Sequence, residues 1–148
     1  MKTNFKKLFL ALVCFCTVQF AVADNERPIT VKQLPAAAQQ ILSKHFAGQK
    51  VSLAKYENGL IEKSYDVILA NGNKIEFDRS GAWKSLDCKY TSVPKALLPR
   101  PIANYINQHY QGAAVKEIEK EHGRYEVKLE GGVELTFSSN FKVLDIDF

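Results

Sequence analysis

Two hydrophobic rhythms alternate along this chain, in the same order twice. From Leu34 the apolar positions Leu34, Ala38, Ile41, Leu42 and Phe46 recur at three- and four-residue spacing, which predicts a half-buried helix. Gly48 lies just beyond the last of them, where a left-handed helix stop is expected. From Val51 the period falls to two. Strands are predicted up to the turn signals Asn58-Gly59, Asn71-Gly72 and Ser80-Gly81, with a fourth from Trp83 to Lys89. Asn-Gly pairs suit tight hairpins because both residues tolerate positive φ, and connections this short force antiparallel neighbours. The order then returns. A helix is predicted from about Leu98 to Tyr110, with Ile102, Tyr105, Ile106 and Tyr110 inward, followed by strands near 115–120, 124–130, 133–137 and 142–148. Ahead of both units, Asp24 to Arg27 reads as a polar lead-in and Ile29 to Val31 as a short strand or docking segment.

The return is written in the residues themselves. Leu34-Pro35, Ile41-Leu42, His45-Phe46, Gly48 and Val51 recur 64 positions on (34 to 98) as Leu98-Pro99, Tyr105-Ile106, His109-Tyr110, Gly112 and Val115. Tyr65, Val67, Leu69, Gly72, Ile75, Phe77, Leu86 and Asp87 recur at a spacing of 60 (65 to 125) as Tyr125, Val127, Leu129, Gly132, Leu135, Phe137, Ile146 and Asp147. The drop from 64 to 60 places four extra residues in the first unit, between Val51 and Tyr65. A doubled unit must be explained as one architecture. The expected fold is α+β: a tandem repeat of helix plus four-stranded antiparallel meander, forming one curved sheet with both helices on one face. Residues 24–93 make the first unit and 94–148 the second.

The N-terminus changes the electrostatic picture. Lys2, Lys6 and Lys7 precede an apolar run from Leu8 to Val22, and Ala21-Val22-Ala23 supplies the small residues that a signal peptidase reads. Residues 1–23 are therefore expected to be a cleaved signal peptide, and the protein to be periplasmic or secreted. The whole chain is +4, with 20 basic and 16 acidic residues. Three of the basic residues sit in the leader, leaving 17 against 16, or +1. No clustered Lys and Arg face suggests nucleic acid, and no second apolar run approaches the roughly 20 residues that span a bilayer. Cys88 alone lies beyond the leader, so no intramolecular disulfide is expected. Each unit of roughly 60 residues would be marginal alone, so the two are expected to share a core.

Candidate chemistry is sparse. Period two puts Tyr65, Val67, Leu69, Ile75 and Phe77 inward, and Leu144, Ile146 and Phe148 with them. It puts Ile68, Asp66, Glu76, Asp87 and Trp83 on the opposite face, with Tyr56 near them. An aromatic among mixed charges suits the centre of a binding surface. A bulge at Gly81 would reverse the parity and bury Trp83, and cover by the linker or the other unit is a second structural alternative. His45 and His109 occupy matching helix ends without partners at ligand spacing, so they read as dipole or packing residues and no metal site is expected. His122 falls in a solvated turn. Cys88 matches Phe148 and reads as a small buried hydrophobe, since nothing supplies a base for it. Asp78, Asp87, Asp145 and Asp147 fit solvated strands. No phosphate-binding loop or serine-nucleophile motif occurs, and neither catalysis nor a cofactor is expected.

The repeated phrase of Leu-Pro, apolar helix, His-aromatic-x-Gly, then Tyr-acidic-Val-x-Leu, x-Gly and apolar-x-Phe resembles the PepSY-like, beta-lactamase-inhibitor-like family of exported Bacteroides-type proteins. Phe77-Asp78-Arg79-Ser80-Gly81-Ala82-Trp83 and Ile118-Glu119-Lys120 carry the likeness especially well. In the second unit Phe141 and Val143 stand in place of Gly81 and Trp83. The resemblance, which covers nearly all of residues 29–148, implies a fold like that of the beta-lactamase inhibitor protein, whose open sheet grips a partner. It brings no catalytic residues. The expected function is a non-catalytic binding module for an exported protein or peptide, in its sharper form an inhibitor of a secreted hydrolase. The alternative is a small-ligand binder or enzyme with a pocket between the units or around Cys88.

Overall fold

A computed structural model describes residues 25–148. The proposed signal segment, its cleavage site and the start of the lead-in lie outside the described residues. The elements run β1 (Glu26–Ile29), α1 (Ala36–His45), β2 (Val51–Asn58), β3 (Lys63–Leu69), β4 (Lys74–Asp78), β5 (Trp83–Asp87), α2 (Arg100–His109), β6 (Val115–Glu121), β7 (Arg124–Leu129), β8 (Glu134–Ser138) and β9 (Val143–Asp147). Short 3-10 turns at Val31–Gln33 and Lys95–Leu97 precede the helices. The nine strands form one open antiparallel sheet in simple chain order. Among the described residues the fold is α+β, with two α-helices against one face of the sheet.

Burial explains that layering. Ala38, Leu42, Phe46, Ile102 and Ile106 from the helices join one core cluster with Val67, Leu69, Ile75, Phe77, Leu86, Ile118, Val127, Leu129, Leu135 and Phe137. Those sheet residues share one face by the pairings Val67↔Ile75, Ile75↔Leu86, Leu86↔Ile118, Ile118↔Val127 and Val127↔Leu135. The seam between β5 and β6 is therefore continuous core. Leu86 faces Ile118 across it, and the Cys88 and Val93 amides donate to the carbonyls of Lys116 and Val115. Each helix starts after a proline (Pro35, Pro99) and ends before an aromatic whose amide donates one turn back, Phe46 to Leu42 and Tyr110 to Ile106. Proline suits that first position because its missing N–H would have had no helical partner.

Three local expectations are corrected. Glu26 and Arg27 are not a lead-in outside the sheet: they pair with Glu57 and Tyr56 as part of β1, and Ile29 closes that strand instead of opening one. Proline is tolerated at Pro28 because β1 is an edge strand. A bulge between Glu76 and Phe77, matched between Thr136 and Phe137, shifts the start of β5 and β9 by one residue. Trp83 thus stands opposite Phe77, and Val143 opposite Phe137, both packed against the core, while Leu144 turns outward. Phe148 is not inward either, with 95% of its surface exposed past the last strand.

Candidate functional site

The sheet face away from the helices is the surface left unfilled by the fold. Sheet order and register set its side chains into rows, because directly paired residues point to the same side. The middle row runs Lys55, Asp66, Glu76, Ser85, Glu119, Glu126, Thr136 and Asp145 from β2 to β9. The row beside it includes Ile68, Lys74, Asp87, Glu117, Lys128, Glu134 and Asp147. Carboxylates outnumber cations in both.

Neutralisation is uneven. Lys74 Nζ lies 2.8 Å from Asp66, Lys84 Nζ 3.4 Å from Glu76, and Lys89 Nζ 3.4 Å from Asp87. Lys128 spans Glu117 (3.4 Å) and Glu134 (3.6 Å). Among the described residues, Glu119, Glu126 and Asp145 have no such partner. Glu119 and Glu126 stand directly opposite each other, a like-charge pairing that costs stability. Burial, then the charges of Glu121, Glu126, Glu117 and Glu76, raise the Glu119 carboxyl above its ordinary 4.5. The open face over β6–β9 thus carries acid that no lysine among the described residues pairs.

The six residues singled out from sequence separate into two groups. Ile68, Asp66, Glu76 and Asp87 share the open face. Trp83 and Tyr56 do not join them. A bulge in β5, opposite Glu76 and Phe77 and not at Gly81, sends Trp83 to the helix side, half-buried on the core. Tyr56 pairs with Tyr65, an inward-parity residue, and their rings lie 5.4 Å apart. Glu119 and Glu126 share that open face without being among the residues the sequence singles out. The signal was present, since both alternate with core residues, but which acids face each other follows only from strand order.

The remaining candidates are structural in their surroundings. Cys88 is fully buried, and burial followed by the Asp87 charge raises its thiol to about 11, so it is protonated and hidden at neutral pH. Burial pushes the Asp78 carboxyl up, but hydrogen bonds from the Ser80 hydroxyl and from the Ser80, Ala82 and Gly81 amides outweigh it and leave it below 3.8. That carboxylate organises the β4–β5 turn. His109 packs 4.3 Å from the Tyr105 ring, and His122 sits exposed at a turn with φ 49°. No group of three His, Cys, Asp or Glu side chains among the described residues is placed to hold a metal. No described helix is long and apolar enough to cross a membrane.

Known proteins add a consistent context. The model of a family described as beta-lactamase-inhibitor-like, PepSY-like matches residues 63–145. A periplasmic protein from Bacteroides vulgatus is 45% identical with a TM-score of 0.83, covering 85% of this chain and 99% of its own. A Bacteroides thetaiotaomicron periplasmic protein described as calcium-regulated is 48% identical, TM-score 0.81, with the same coverage. A second B. vulgatus periplasmic protein, of unknown function, is 36% identical, TM-score 0.77, covering 83% and 99%. No curated protein matches the chain.

Proposed function

Because the chain belongs to the PepSY-like family, whose solved relatives are periplasmic, we propose that it is an exported, non-catalytic binding module that grips a cationic protein or peptide on its open sheet face. The observation that carries this reading is the uncompensated acid of Glu119, Glu126 and Asp145, beside Ser85 and Thr136. A partner bearing Lys or Arg would supply the missing counter-charge, and such complementarity governs encounter and specificity. Asp66, Glu76, Asp87 and Ile68 would form the neutralised flank of the same surface. Trp83 and Tyr56 fall outside it. Inhibition of a secreted hydrolase is one form that this gripping could take.

Two finer points belong to the same proposal. The two halves are copies of one unit, a reading supported by matching registers and by bulges at the same places in β2 and β6 and again against β4 and β8. The leader directs export.

The test is capture from an envelope extract with wild type, Glu119→Lys and Trp83→Ala, each checked for folding. The reading expects wild type and Trp83→Ala to recover the same basic partner, and Glu119→Lys to recover at least about tenfold less. Equal recovery by Glu119→Lys would remove its basis.

A further inference from the structure

At the far corner of the first half lies a cavity of about 430 Å3 that the open face does not use, lined by Arg27, Gln33, Tyr56, Lys63, Tyr65 and Arg79. Strand register brings these residues together. Arg27 of β1 pairs with Tyr56 of β2, which pairs with Tyr65 of β3. Lys63 opens β3, and Arg79 sits in the turn after β4. The Arg27 guanidinium lies 5.0 Å from the centre of the Tyr56 ring, a cation–π contact that fixes its position.

The charge is one-sided. Arg27, Lys63 and Arg79 make no ion pair among the described residues, and no carboxylate lines the cavity. The two tyrosine hydroxyls likewise make no hydrogen bond among them. Like charges held around one space repel unless an anion joins them. The second half is built otherwise at the matching place. Phe141 stacks on Tyr125 with ring centres 5.3 Å apart, Lys120 lies 5.9 Å from that ring, and the positions matching Lys63 and Arg79 are Gly123 and Ser139.

We propose that this cavity binds an oxyanion of the phosphate class, with the guanidinium groups of Arg27 and Arg79 as forked donors, Lys63 as a third cation and the tyrosines as walls and hydroxyl donors. Guanidinium is suited to this role because its planar N–H groups match two oxygens at once. Two sources share the chemistry. One is a free phosphate or phosphate ester. The other is a phospholipid headgroup, which the neighbouring hairpin tip makes concrete: Leu60 and Ile61, fully exposed at 102% and 100%, project just before Lys63.

The test titrates inorganic phosphate into the labelled protein at low salt, following amide shifts, with flotation on phosphatidylethanolamine–phosphatidylglycerol vesicles as a second arm. Saturable shifts at Tyr56, Lys63, Tyr65 and Arg79 are expected, weakened about five- to tenfold in Arg27→Gln and in Arg79→Gln. Binding of phosphate without flotation assigns a free anion. Flotation that is lost in Arg79→Gln and in Leu60→Ser/Ile61→Ser assigns the headgroup. The substitutions are at exposed positions, and circular dichroism confirms that each variant is folded. Linear, unsaturated shifts without flotation overturn the site, as does binding or flotation unchanged in both arginine variants.

Discussion

The halves β2–β5 and β6–β9 share register, bulges and core, yet they handle charge in opposite ways. In the first half, Lys55 of β2 faces Asp66 of β3 across the open side. In the second, the matching pair is Glu119 against Glu126. Three lysines of the first half, Lys55, Lys74 and Lys84, are Glu119, Glu134 and Leu144 in the second, and Lys74 and Lys84 are the ones that neutralise Asp66 and Glu76. The turns differ as well. Gly81, at φ 88°, brings the chain so close to the start of α1 that an added Cβ would sit 2.8 Å from the Ala38 nitrogen and the Pro35 Cβ. Its counterpart Phe141 occupies φ 61° and lays its ring on Tyr125. The shared positions build the scaffold, and the places where the halves part are where its surface acquires character.

Reciprocal substitution at that turn gives the largest expected contrast. Gly81→Phe meets both a left-handed backbone and the helix start, and should cost roughly 2–5 kcal/mol. Phe141→Gly loses a stacked pair but relieves an unfavourable φ, so the net loss should stay below about 1.5 kcal/mol. Denaturant midpoints read both. Similar losses in the two variants would show that the turns are not built differently.

A smaller effect concerns Glu119. A carboxyl whose folded pKa is raised holds its proton longer in the folded state than in the unfolded chain. Stability is then fully present below the unfolded pKa and is lost as pH rises through the folded one. Glu119→Gln should therefore be more stable than wild type at pH 7, with the gap closing as pH falls through the carboxylate range around 4.5. Thermal melts from pH 7 down to 4 check this. A gap that widens on acidification would contradict the like-charge account.

Most of the scaffold could be read from residue order. Both helices, their inward faces and the eight strands that follow them came from periodicity, and the Asn58-Gly59, Asn71-Gly72 and Ser80-Gly81 pairs marked turns. The site was less legible. A single extra residue in a bulge reverses which way Trp83 and Val143 point, and only strand pairing reveals where it is inserted. β1 is not legible in the sequence because Glu26, Arg27 and Pro28 have the composition of a tail, although an edge strand accepts polar residues and proline. The acidic patch is hidden for another reason. Glu119 and Glu126 sit in ordinary alternating strands, and their opposition depends on β6 lying beside β7 in one particular register.

The central claim is that the open face around Glu119 and Glu126 grips a cationic partner. Ser85 lies opposite both Glu76 and Glu119, so a photo-crosslinking side chain placed there reports the surface directly. The account predicts a partner adduct from position 85 in envelope extract, abolished by Glu119→Lys although that change should raise stability by roughly 0.2–1 kcal/mol. Adducts forming only from a helix position such as Gln40, or an adduct at 85 that survives Glu119→Lys undiminished, would contradict it.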